Sequence, residues 1–94
     1  MLFMSIYRWK PGQRNGLLTR RMEKGDFVAK GVKVVGEWTD LGGGRGFMLY
    51  ESNDPKAMMA TALGWTDLME IDTIPVMATA DVMTMAGKGG GSKK

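Results

Sequence analysis

The segment Leu2–Trp9, LFMSIYRW, restricts this chain more than any other. Side chains alternate between the two faces of a strand. Leu2, Met4 and Ile6 therefore share one face, and Phe3, Ser5, Tyr7 and Trp9 the other. Both sets are largely apolar, so the strand needs cover on both sides and belongs in the middle of a sheet. It ends at Lys10-Pro11-Gly12, a turn signal.

The rest of the chain supplies elements to surround it. Gln13–Glu23 has helical spacing, with Leu17, Leu18 and Met22 as its apolar side and Arg14, Arg20 and Arg21 toward water. Val32–Thr39 and Gly46–Glu51 read as strands joined by a glycine-rich hairpin at residues 40–45. Asn53-Asp54-Pro55 starts a second helix, with Asp54 as cap and Pro55 at the first helical position. Gly64 is its expected stop. Leu68–Val76 is a fourth strand, and Pro75 inside it argues for an edge.

The order βαββαβ is the ferredoxin-like, split-βαβ pattern of the α+β class. Its four-stranded antiparallel sheet runs 4-1-3-2, with the first and third strands central. Those are the two strands apolar on both faces, so local pattern and topology agree. The domain is expected over residues 1–77, with an extension at 78–87 that forms a short helix and a flexible Gly/Lys tail at 88–94.

Two helices cover one face of such a sheet. The other face would expose large side chains, expected here from the Phe3, Tyr7 and Trp9 set with partners on the third strand. A chain of 94 residues has a thin core and cannot easily leave such a surface wet. A homodimer with stacked sheets is the expected remedy, which would make a dimeric α+β barrel.

Charge placement bears on partners. Residues 1–45 carry nine basic and four acidic side chains, whereas residues 46–87 carry one basic and six acidic. The body is neutral, and the formal charge of +3 comes from Lys88, Lys93 and Lys94. Nucleic-acid binding is therefore disfavoured. MLFMSIY lacks a basic leader and is too short for a signal core, and no apolar run approaches the ~20 residues of a spanning helix. A cytoplasmic protein with no membrane partner is expected.

The chain has no cysteine and no histidine. Disulfides, thiolate metal sites, cysteine nucleophiles and histidine general bases are all excluded. Asp67, Glu70 and Asp72 lack calcium-loop spacing and read as a solvated edge face, so no metal site is expected. Gly42–Phe47 fails as a dinucleotide loop, because Phe47 takes the place of the last glycine and a strand follows. No cofactor is implied.

Arg45, among glycines at the hairpin mouth, could anchor a carboxylate or phosphate. The bland alternative is an ion pair with Asp40 or Glu51 that fixes the hairpin. Trp38, beside Glu37 and Asp40, is the aromatic best placed to line a cleft. Core or interface packing is the ordinary role of Trp9, Trp38 and Trp65.

Three stretches taken together resemble a known family: MLFMSIYRWKPGQR, GVKVVGEWTDLGGGRGFMLYES and DPKAMMATALGWTDLMEIDTIPVM. They are similar to domain of unknown function 3303, a family of short bacterial and phage proteins, over residues 1–77. The block Gly36–Phe47 is the most specific part. The resemblance implies a dimeric α+β barrel and no particular activity. Its matching motif residues, Glu37, Trp38, Asp40, Arg45 and Trp65, are the ligand-binding candidates; no catalytic residue is assigned. The favoured reading is a small dimeric module that binds a small, anionic, apolar-bodied molecule. A cofactor-independent oxygenase or isomerase with Glu37 or Asp40 as base is one alternative. A protein-interaction module of phage or host is the other.

Overall fold

The computed structural model describes residues 1–89, so the expected Gly/Lys tail lies, from residue 90 on, outside the described residues. The elements are β1 (Leu2–Arg8), α1 (Arg14–Lys24), β2 (Lys33–Thr39), β3 (Arg45–Glu51), α2 (Pro55–Leu63), β4 (Glu70–Val76) and α3 (Thr79–Gly89). A single 3₁₀ turn at Pro11–Gln13 leads into α1.

The four strands form one antiparallel sheet in the order β2-β3-β1-β4, which is the expected ferredoxin-like arrangement. β1 and β3 are central, as their two-faced apolarity requires. The helix start at Asp54 also forms as read: its carboxylate accepts the backbone N–H groups of Lys56 and Ala57 at 3.0 and 3.3 Å.

Register decides which side chains meet. Ser5 pairs with Met48 and Thr73, and Tyr7 with Gly46 and Ile71. These residues share the helix-covered face, where Ser5, Met48 and Tyr50 are buried. Leu2, Met4, Ile6, Phe47, Leu49, Ile74 and Val76 alternate to the open face. The centre of the open face is therefore apolar, with Arg8, Arg45, Glu51, Glu70 and Asp72 on the same face, and it is not made by the residues expected. Tyr7 and Trp9 lie under the helices, and the opposite half of β1 faces outward.

The polar face of α1 differs from expectation as well. Leu17 is buried, whereas Leu18 and Met22 are exposed. Arg20 and Arg21 stay partly solvated but turn to acidic partners outside α1. Arg20 holds Asp67 through two bonds of 2.6 and 2.7 Å and donates to the Gly64 carbonyl at 3.1 Å, tying α1 to the end of α2.

A β-bulge between Val34 and Gly36 shifts the register of β2. Before it, Val34 pairs with Tyr50 on the helix side; after it, Glu37 pairs with Met48 on that same side. One extra residue thus moves Glu37 inward and Trp38 outward.

Candidate functional site

Between sheet and helices lies a cavity of about 170 Å³. Its floor is Ser5, Tyr7 and Trp9 from β1, Glu37 and Thr39 from β2, Met48 and Tyr50 from β3, and Ile71 and Thr73 from β4. The roof is Arg14, Leu17, Leu18 and Arg21 of α1 with Met58, Thr61 and Ala62 of α2. Trp65, Met69 and Asp26 close the remaining sides. Its volume is below the roughly 300 Å³ at which pockets for drug-sized ligands begin, so it suits a small molecule.

Most polar groups in the wall satisfy one another. The Ser5 and Thr73 hydroxyls bond at 2.7 Å. The Thr61 hydroxyl accepts the Ala29 N–H at 3.0 Å and donates to the Ala57 carbonyl at 2.8 Å, which pins the α1–β2 connection onto α2. Phe27 adds to that pin: its ring lies so close to Gly64 that a Cβ there would stand 2.6 Å away.

Glu37 is the polar centre. Arg21 donates to both of its carboxylate oxygens, at 2.6 and 2.7 Å, and the Tyr7 hydroxyl donates to Oε2 at 3.2 Å. The Arg21 hydrogen bonds hold the carboxyl below the usual carboxylate range, against the opposing effect of partial burial. Burial first, and Glu37 second, push the Tyr7 hydroxyl well above the ordinary phenol range. Gly46 makes room for that tyrosine, since a Cβ at residue 46 would lie 2.5 Å from the ring.

Several groups in the wall are left over, Tyr50, Arg14 and Asp26 among them. Tyr50 is 8% exposed, and its hydroxyl makes no hydrogen bond among the described residues. Burial, then the negative charges of Glu37 and Asp26, push it up to about 12, so it remains a hydrogen-bond donor at neutral pH. Arg14 and Asp26 also line the cavity and make no ion pair among the described residues. They stand at the two ends of α1, which at ~1.5 Å per residue is ~16 Å long.

The fold divides the residues expected to form the site. Glu37 and Trp65 do line the cavity. Trp38 pairs with Phe47 on the opposite face of the sheet and is 54% exposed. Arg45 and Asp40 pair with each other outside the cavity. The carboxylate accepts from Arg45 at 3.0 and 3.1 Å and from the Gly42 N–H at 2.9 Å, and the guanidinium lies 5.2 Å from the Phe47 ring centroid. That is the hairpin-fixing role, with Gly43 and Gly44 at φ of +77° and +86° forming the turn.

Arg14 and Arg21, read from the sequence as facing water, line the cavity, and so do Tyr7 and Tyr50, aromatics for which a cleft is the less favoured of two roles beside core or interface packing. One signal was available: alternation puts Tyr7 and Tyr50 on the same, helix-covered face of the two central strands, opposite Gly46 and Phe3 respectively. Asp67, Glu70 and Asp72 do not converge, since Asp67 is held by Arg20 and Asp72 by Arg8 at 3.1 Å. No cluster of potential metal ligands occurs among the described residues. Nor is any helix among them long and apolar enough to cross a membrane.

Comparison with curated proteins and with solved structures gave no match. A family match does extend over residues 1–90, past the 1–77 stretch whose motifs first suggested it, and so takes in α3. On that coverage the chain belongs to the family described as Domain of unknown function (DUF3303).

Proposed function

We propose that this chain is a small-molecule-binding module whose site is the cavity under the helices, and that it works as a homodimer. The observation that carries the reading is the left-over chemistry of the wall. A buried phenol O–H and an exposed arginine, neither with a partner among the described residues, face a cavity that also takes in the unpaired Asp26. Buried polar groups are nearly always satisfied, so an acceptor is expected to meet Tyr50 when the site is filled. Arg14 favours a carboxylate or similar anion. Leu17, Met48, Met58, Trp65 and Ile71 would pack on the apolar body. In this reading the anion-binding role passes from Arg45 to Arg14.

The geometry weighs against the enzyme alternative with Glu37 as base. A carboxylate held by two arginine bonds and a tyrosine is a poor proton acceptor near neutral pH. Asp40 is held in the same way by Arg45 and Gly42 and lies outside the cavity.

The homodimer is supported by the open face of the sheet. Its centre, Met4, Ile6, Phe47 and Leu49, is apolar, and no helix among the described residues packs over it. Stacking two such faces would bury both.

The test is a thermal-shift and calorimetric titration of the full chain with benzoate and hexanoate, using benzamide and hexanol as uncharged controls. The carboxylates are expected to raise Tm and the controls to do so less. Arg14→Ala should erase that preference, and Tyr50→Phe should weaken binding by about three- to tenfold, the usual cost of one hydrogen bond. Equal responses from wild type and both variants would overturn the assignment.

A further inference from the structure

The cavity under the helices carries different charge at its two ends. Arg14 begins α1, and Asp26 stands two residues past Lys24, where that helix stops. The turn that leads into α1 lies at the end of the sheet where the Trp9 N–H donates to the Gly44 carbonyl at 3.0 Å. The connection that follows Asp26 descends at the other end, where the Ser52 hydroxyl donates to the Gly31 carbonyl at 2.8 Å. α1 therefore runs along the cavity with a cation at its start and an anion beyond its finish. Both charged residues are exposed at their own ends, so water solvates each of them.

The charges between those ends are already spent. Arg21 donates to both oxygens of Glu37, and Tyr7 adds a third bond at Oε2. Asp26 makes no ion pair and no hydrogen bond among the described residues, so its carboxylate remains an acceptor in the cavity wall. Tyr50 belongs to the same end. It lies on β3 opposite Phe3, four residues and ~13 Å along the strand from Gly46, the partner of Tyr7. Burial, then the negative charges of Glu37 and Asp26, keep its hydroxyl protonated. This end thus offers one buried donor and one acceptor within each other's field.

We propose that the cavity reads its ligand at both ends, with a carboxylate at Arg14 and a hydroxyl at Tyr50 and Asp26. The ligand class is a hydroxy acid whose two polar groups are separated by an apolar chain. This rests on the reading of the cavity as a carboxylate site and adds the group at its far end. The chemistry of that end makes the choice. A hydroxyl accepts from the phenol and donates to the carboxylate, so it satisfies both. A second carboxylate accepts from Tyr50 but brings a like charge beside Asp26 and Glu37. An ammonium pairs with Asp26 but has nothing to accept the Tyr50 O–H. An alkyl end meets neither. Between the ends, Leu17 and Met48 are buried and give the chain an apolar wall.

The test is calorimetric titration of the full chain at neutral pH with two sets of acids, one of six carbons and one of eight. The first set is hexanoate, 6-hydroxyhexanoate and hexanedioate. The second is octanoate, 8-hydroxyoctanoate and octanedioate. In wild type, the hydroxy acid of at least one length is expected to bind about three- to tenfold tighter than its plain acid, the usual worth of one hydrogen bond. The diacids are expected to bind more weakly than the plain acids. Asp26→Ala, at an exposed position, should erase the hydroxyl's gain and narrow the diacids' deficit. Glu23→Ala removes the same charge from an exposed residue outside the cavity and should change neither.

The outcomes separate this inference from the reading beneath it. No binding by any of these acids overturns both the carboxylate reading and the two-ended site. Plain acids whose binding Arg14→Ala removes, with hydroxy acids no tighter at either length, overturn the two-ended site and leave the carboxylate reading standing. A hydroxyl gain that survives Asp26→Ala overturns the role given to Asp26. A gain lost in Asp26→Ala and kept in Glu23→Ala, with the diacids disfavoured, supports the two-ended site.

Discussion

At residue scale the molecule turns on Glu37. Its carboxylate joins β2 to α1 through Arg21 and to β1 through Tyr7, so three elements meet at one charge. The Glu37 side chain is 28% exposed and that of Arg21 41%, so water still screens the pair. Glu37→Gln is expected to cost about 1 kcal/mol at pH 7, well short of a fully buried pair. The sign with pH follows from the depressed carboxyl. Its stabilisation is complete above the ordinary glutamate range and is lost as pH falls through the folded-state value. Urea unfolding at pH 7 and pH 3 should show the gap between wild type and variant closing on the acid side. A gap that stayed constant would mean that the charge is not the stabilising feature.

At element scale, helix entry and strand pairing were legible in the sequence, while the orientation of side chains was not. Asp54-Pro55 fixed the start of α2, because a carboxylate cap and a preset φ act within one turn and need no tertiary knowledge. Asp54→Ala should lower stability by about 1 kcal/mol, measured by denaturant midpoint at unchanged slope. The open face of the sheet was misjudged for a different reason. β1 is apolar on both sides, so its pattern alone cannot say which side the helices take. That is settled by α1, where Leu17 packs inward while Arg20 and Arg21 find acids on neighbouring elements. Such pairs depend on distant residues and leave no trace in helical spacing. The expected site broke up at β2, where neighbours in sequence were read as neighbours in space. Strand alternation separates Glu37 from Trp38, and the bulge decides which of them faces the cavity.

At the scale of the whole molecule, the fold was the most legible feature, since the order of six segments and the two-faced character of two of them leave little choice. The cavity was not, because its volume arises from how far the helices stand off the sheet. Neutrality of residues 1–87 removes long-range repulsion between copies, so association would depend on apolar contact and vary little with salt. If dimerisation and folding are coupled, Tm must rise with protein concentration. A hundredfold increase should raise it by roughly 5–10 °C in differential scanning calorimetry. A concentration-independent Tm would count against an obligate dimer.

The bulge in β2 has one more consequence. It works as a change of phase: upstream of it even-numbered residues face the cavity, downstream odd-numbered ones do. Removing a single residue from this strand would exchange the surroundings of the Glu37-Trp38 pair, sending the indole toward the cavity and the carboxylate to the open face. Two adjacent residues are thereby placed on opposite faces of the sheet, one on the helix-covered side and the other on the open side. Each can change without rewriting the other only while the bulge keeps its place.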